Sequence, residues 1–268
     1  MGNAVAPFVL ELEEEEGDDE RSSISSSSMR SLDDMEFCPG NPNPRTATII
    51  FDWDDTLMCS SAIKARQDPD PAEVMQLAEA VESVLRLAME LGRTAIVTNA
   101  NLNWVRTTAG IFMPAVVPLL DAIELVSARQ SYGRRCPGDH SAWKRLAFRD
   151  VVSGKPSSQR SKEPTTGSRA RGGVNLVVVG DSSAEIQAGR SLVHGHQSGE
   201  AIVKTVKLKE APSVGELRGQ LQALARSLRR IVIEDRSASK LVVRGGTSTC
   251  GWSVQDASCG FSLWGLGL

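Results

Sequence analysis

Apolar residues along this chain gather into a few short continuous runs, separated by stretches where they recur every three or four positions. Four runs are rich in β-branched or aliphatic residues: 46–51 (TATIIF), 93–98 (RTAIVT), 123–128 (IELVSA) and 175–180 (NLVVVG). A fifth, 201–208 (AIVKTVKL), is more polar. Nearly continuous apolar runs predict strands covered on both faces, as in a parallel sheet. Between them, residues 72–91 place Val74, Leu77, Val81, Val84, Leu85, Ala88 and Leu91 on one helical face. Asp70 is the expected N-cap, Pro71 the first helical residue, and Glu73 the partner that closes a capping box. Residues 214–228 repeat the pattern, with Ser213 answered by Glu216 and a stripe of Val214, Leu217, Leu221, Leu224 and Leu228. Strands alternating with helices predict βαβ units. The expected fold is therefore α/β, a Rossmann-like three-layer sandwich with a central, mostly parallel sheet.

The flanks read differently. Residues 11–20 hold eight acids and no base, and a serine tract follows. Such a stretch has little to bury, so residues 1–45 are expected to form a disordered tail, either simply solvated or carrying a regulated serine tract. The folded domain is expected over 46–235. Residues 153–173 contain five bases, one acid and many Ser, Gly and Pro residues, which predicts a flexible basic surface insertion. Residues 236–268 form a C-terminal tail with no assigned element. Its apolar end fits docking on the domain or on a partner.

With 268 residues, 41% of them hydrophobic and 24% charged, the chain can bury a core. The net charge of −3 hides an asymmetry, because without the eight acids of 11–20 the remainder carries +5. The five cysteines are scattered and include no C-x-x-C pair, which predicts reduced thiols in a cytoplasmic compartment and no zinc site. Neither a secretory signal nor a membrane-spanning segment is expected from the apolar pattern. Gly2 opens an N-myristoylation pattern, but Ala6 stands where Ser or Thr is preferred, so membrane association is expected only if Gly2 is lipidated. The basic 153–173 stretch lacks interleaved aromatics, and no nucleic-acid partner is expected. His194 and His196 read as a surface turn. The pattern is silent on oligomeric state.

In doubly wound sheets, ligands bind beyond the carboxyl ends of the strands. After the first run come Asp52 and Asp54, with Asp55 beside them as an expected exposed turn acid. After the second come Thr98 and Asn99. After the fourth come Asp181, Ser182 and Ser183, with Glu185 a helical turn beyond. One Asp after a strand is usually a helix cap, but three polar sets at three strand ends point to one site. Asp52 and Asp181 suit a hard, partly hydrated cation such as Mg²⁺. Asp52 can attack phosphorus. Asp54 can protonate a leaving oxygen and later activate water. Thr98 and nearby N–H groups can hold phosphate oxygens. Lys144 supplies a cation: with Ser141 as N-cap it falls in the first turn of a helix, where it opposes the helix dipole and makes sense facing an anion. Lys155 is the competing lysine.

Together FDWDDTL (51–57), IVTNA (96–100), WKRLAF (143–148) and VVVGDSSAEIQAG (177–189) resemble the four motifs of the haloacid dehalogenase-like hydrolase superfamily, over about residues 46–230. The resemblance implies a Mg²⁺-dependent phosphatase, with Asp52 as nucleophile and Asp54 as acid/base. Thr98, Asn99 and Lys144 would bind phosphate, and Asp52, the Asp54 carbonyl, Asp181 and Glu185 would surround the metal. Glu185 stands where Asp is common. Only about 15 residues separate Thr56 from Pro71, and between Thr98 and Lys144 there is room for one helix and one strand, so no cap domain is expected. An open site suits phosphoproteins or other large phosphorylated substrates, unless the 153–173 insertion acts as a lid. The alternative is a catalytically silent binding or regulatory protein on the same fold, which the two unusual tails would also suit.

Overall fold

The computed structural model describes residues 47–65, 70–155, 173–192, 201–234, 237–243 and 251–254. The tail 1–45 with Gly2, residues 156–172 of the basic insertion, the pair His194 and His196, and the end of the C-terminal tail lie outside the described residues.

Seven strands form one sheet: β1 (Ala47–Phe51), β2 (Gly92–Thr98), β3 (Glu124–Ser127), β4 (Val174–Gly180), β5 (Ala201–Lys207), β6 (Ala238–Val243) and β7 (Gly251–Val254). Their order is β3-β2-β1-β4-β5-β6-β7. The pairings from β3 across to β6 are parallel, and β7 closes antiparallel on β6. The five expected strands are all present. The expectation of an unassigned tail from 236 is corrected, because that region supplies β6 and β7 to the sheet edge. Nothing in local periodicity announces them; an edge strand is specified by the neighbour it pairs with.

The helices are α1 (Ser60–Lys64), α2 (Pro71–Leu91), α3 (Leu102–Phe112), α4 (Val117–Ala122), α5 (Ala128–Tyr132), α6 (His140–Val152), α7 (Ser183–Ser191) and α8 (Val214–Ile233). Asp70 caps α2 by accepting from the Ala72 N–H at 3.0 Å, without Glu73, which is exposed. Ser213 and Glu216 form the full capping box of α8. That helix runs five residues past its expected end because Ile231 and Val232 extend the buried stripe. The span between Thr98 and Lys144 is more subdivided than one helix and one strand. Pro114 opens a 3₁₀ turn (Pro114–Val116), Pro118 stands in the first turn of α4, and α5 follows β3. Proline fits a first turn, where its missing N–H is not needed. Among the described residues no inserted cap domain appears, and no helix is long and apolar enough to cross a membrane.

Alternation along the strands splits the core in two. Ile49, Phe51, Val177 and Val179 face α2, α3, α4 and α8, where they meet Val81, Leu85, Leu221 and Leu224. Ile50, Val97, Leu176 and Val178 face the other way, onto Tyr132, Trp143, Phe148 and Ala188 of α5, α6 and α7. Both strand faces are covered, which is why these runs read as continuously apolar. The passage from α2 into β2 needs glycine: a Cβ on Gly92 would lie 2.3 Å from the Ala47 carbonyl oxygen.

Candidate functional site

β1 lies in the middle of the sheet, so its carboxyl end is flanked by those of β2 and β4. Asp52 follows directly, its N–H donating to the Val179 carbonyl at 3.0 Å as a last rung toward β4. The chain then folds tightly. The N–H groups of Thr56, Leu57 and Met58 all donate to the Trp53 carbonyl, at 3.3, 2.9 and 3.0 Å. The Trp53 ring is fully buried, with its Nε1 donating to Thr108 Oγ1 at 3.1 Å.

Asp55 corrects an expectation. It is buried, not an exposed turn acid. Its backbone sits at φ 53°, a left-handed conformation that Asp tolerates better than most residues. Its carboxylate accepts the Ser61 N–H at 2.8 Å and also the Ser61 hydroxyl. The clamp draws α1 back over the turn and sets Ser60 beside Asp54. Asp54 Oδ1 then accepts from Ser60 Oγ at 2.5 Å and from Trp104 Nε1 at 2.9 Å, while Thr98 Oγ1 lies 3.5 Å from Oδ2.

Lys144 reaches the site, but not from a first turn. The N-cap of α6 is Asp139, which accepts from the Ala142 N–H at 2.8 Å, and the helix begins at His140. The expectation that Ser141 caps the helix is corrected, and Lys144 belongs to the second turn. Its side chain is 1% exposed. Nζ donates to Asp52 Oδ1 and to the Val97 carbonyl, both at 2.6 Å, and lies 3.1 Å from Glu185 Oε1. Lys155 instead lies 3.5 Å from Asp150, a buried acid that also accepts from the Tyr132 hydroxyl.

From β4 come Asp181 and Glu185. Asp181 Oδ1 accepts from Thr56 Oγ1 at 3.2 Å, which joins the ends of β1 and β4. Lys207, at the end of β5, donates to the Asp181 carbonyl and to Glu210, the latter at 2.9 Å. Glu185 is the third residue of α7 and closes its capping box: Oε2 accepts from the Ser182 N–H at 3.1 Å and from the Ser182 hydroxyl. The Glu185 stem lies over Gly180, where a Cβ would come within 2.6 Å of its Cγ. Thr98 caps the next turn by accepting from the Ala100 N–H at 2.9 Å. The side-chain oxygen of Asn99 is buried with no hydrogen-bond partner among the described residues. Such an atom costs free energy unless a ligand or water brings it a donor.

The fold thus brings Asp52, Asp181, Glu185 and Lys144 into one cluster, with Asp54 and Thr98 beside it. Burial pushes the Asp52 carboxyl up to about 7; Lys144 pulls it back only in part, and Glu185 adds to the rise. Burial also raises Asp181 to about 6, helped by the negative charges of Glu185 and Asp55. For Glu185 burial works upward too, but Lys144 and Ser182 outweigh it and hold the acid below its usual range. For Lys144 burial opposes the charge, and the carboxylates of Asp52 and Glu185 win, so its pKa rises. The lysine is a fixed cation among crowded acids.

Ser60, Trp104 and Lys207 belong to this arrangement without having been singled out in the sequence, and their side chains carry no motif of their own. Thr56, the threonine of FDWDDTL, enters it through its bond to Asp181. Trp104 reads as one more apolar residue of α3, and only the packing of α3 against the β1 turn turns its N–H toward Asp54.

No protein-family model matches this chain, and comparison with curated proteins and with solved structures finds no match. The functional reading therefore rests on the site. One oxygen from each of Asp52, Asp181 and Glu185 lies within 4.8 Å of the other two. These are hard oxygen donors, and burial together with the charge of Glu185 raises the pKa of two of them, Asp52 and Asp181. A divalent cation would relieve both, so the donor set fits one.

Proposed function

We propose that this protein is a Mg²⁺-dependent phosphatase of the haloacid dehalogenase type that works through an aspartyl-phosphate on Asp52. The observation that carries the reading is the buried cluster of Asp52, Asp181, Glu185 and Lys144 at the carboxyl ends of β1 and β4, with a second, hydrogen-bonded carboxylate, Asp54, two residues from the first. A structural ion pair needs one acid and one base; here two acids share one lysine and a third, Asp181, stands beside them.

Asp52 and Asp181 would hold the Mg²⁺, with Glu185 contributing as its grip on Lys144 allows. Bound there, the ion would screen the charge of an incoming phosphoryl group and keep Asp52 ionised. Asp52, fixed by its N–H to Val179, then presents one carboxylate oxygen as nucleophile to phosphorus. The new bond joins Asp52 to the phosphoryl group as the bond to the leaving oxygen breaks. Asp54 delivers its proton to that oxygen. In the second half Asp54 takes a proton from water, whose oxygen attacks phosphorus and frees Asp52 and inorganic phosphate. Lys144, anchored by the Val97 carbonyl, balances negative charge on the phosphoryl oxygens, and the Thr98 hydroxyl donates to one of them. No cap covers the site among the described residues, which favours large substrates such as phosphoproteins.

The test is hydrolysis of an aryl phosphate with Mg²⁺ and with chelator, wild type beside Asp52→Asn. Metal-dependent turnover that vanishes in the variant supports the reading. Absence of turnover in the wild type across aryl, phosphopeptide and nucleotide esters would shift the weight to a silent binding protein.

A further inference from the structure

Asp54 does not hang free at the site. Two donors converge on one of its oxygens, Oδ1: Ser60 Oγ at 2.5 Å and Trp104 Nε1 at 2.9 Å. The other oxygen, Oδ2, faces Thr98 at 3.5 Å, a long contact on the side of the β2 end. The two donors come from different parts of the fold. Ser60 is delivered by the Asp55–Ser61 clamp, and Trp104 by the first turns of α3, whose N-cap Asn101 accepts from the Asn103 N–H at 2.8 Å. Neither bond is needed to build its helix.

An indole N–H can only donate. An oxygen that accepts from it cannot present a proton along that same direction, and the second acceptor direction of Oδ1 is taken by Ser60 Oγ. With both bonds in place, Oδ2 is the oxygen left to exchange a proton. We infer that Trp104 is a positioning residue for acid catalysis: with Ser60 it holds Oδ1, fixes the plane of the Asp54 carboxyl and leaves Oδ2, the oxygen turned toward Thr98, to meet the reacting groups. The proton then leaves Oδ2 for the departing oxygen of the substrate, and returns to Oδ2 from the attacking water. Lys64 Nζ lies over the Trp104 ring, 5.5 Å from its centre, and this cation–ring attraction helps to hold the indole in place. Without the indole, the carboxyl can rotate and bury its proton against Ser60, where it serves no leaving group.

The inference rests on the proposed phosphatase reading, and the measurement separates the two. Acid catalysis matters most for a poor leaving group. kcat/KM would be measured with Mg²⁺ for phenyl phosphate and for p-nitrophenyl phosphate, whose leaving phenolate needs little protonation. Trp104→Phe keeps the ring and removes the N–H. Its ratio of phenyl to p-nitrophenyl kcat/KM is expected to fall about tenfold, the size of one good hydrogen bond. Ser60→Ala should move the ratio the same way. Asp54→Asn marks the full loss. A merely structural tryptophan would slow both esters alike, and an unchanged ratio in both variants that still melt cooperatively overturns the inference while leaving the phosphatase standing. A wild type with no Asp52-dependent turnover of either ester overturns both.

Discussion

Replacing Asp52 by Asn should stabilise the metal-free protein although it breaks an ion pair. Removing one partner of a buried pair commonly costs about 3–5 kcal/mol, because the other charge is stranded. Lys144 is not stranded here. It keeps Glu185 at 3.1 Å and the Val97 carbonyl at 2.6 Å, and an Asn oxygen can still accept from it. Against that stands the strain of the acid itself. Its pKa rises from 3.8 in the open chain to about 7 in the fold, with the pull of Lys144 already included. A carboxyl whose folded pKa is raised contributes stability below the unfolded value and loses it as pH climbs through the folded value. At about 1.4 kcal/mol per unit, ionised Asp52 weakens the fold by about 4 kcal/mol above pH 7, and local relaxation and water entry bring the expected gain from Asn nearer about 2 kcal/mol. Urea unfolding in chelator, with wild type and Asp52→Asn compared at pH 4, 6 and 8, reads this directly. The curves should coincide near pH 4, separate between 4 and 7 with the variant above, and run parallel beyond. Saturating Mg²⁺ should close the gap at pH 8 by stabilising the wild type more. A variant less stable than wild type at pH 8 in chelator would refute the reasoning and make the ion pair a net structural asset.

If Mg²⁺ binds as proposed, it has to displace protons from Asp52, pushed up to about 7, and Asp181, pushed up to about 6, so its affinity, followed by calorimetry, should weaken as pH falls from 8 to 5.5, with proton release on binding that shrinks toward pH 8. Gly180→Ala should cost about 2 kcal/mol in thermal or urea unfolding, since its Cβ meets the Glu185 stem at 2.6 Å, and the displaced Glu185 should loosen Lys144 and lower Mg²⁺ affinity as well. Asp55→Ala removes both bonds to Ser61 and leaves φ 53° to a residue that tolerates it less well than Asp; a loss of about 2 kcal/mol is expected, and Asp55→Asn, which keeps one acceptor and tolerates that φ, should recover part of it.

What the sequence determined by itself was the part written in local periodicity and in residues that follow strands. Runs such as NLVVVG are nearly continuously apolar because both their faces are covered, so the parallel sheet and five of its strands, β1 to β5, were legible. Asp52, Asp181 and Glu185 were legible as a group because strand ends in such a sheet converge, whatever the intervening chain does. Ser213 with Glu216 showed the start of α8 because a capping box is a local bond. Only the tertiary structure decided the rest. β6 and β7 exist through pairing with a neighbour, which periodicity does not encode. Asp139 displaced Ser141 as the cap of α6 because both could accept from the first turn, and the packing of Trp143 and Ala147 selects where the helix begins. Asp55 looked like a turn acid until α1 folded back on it. Trp104 stands 50 residues from Asp54 in the chain, and its N–H meets the carboxylate only when α3 packs beside the β1 turn. Contacts between residues far apart in the chain carry no local signature, and it is those contacts that choose which oxygen of each acid is free to act.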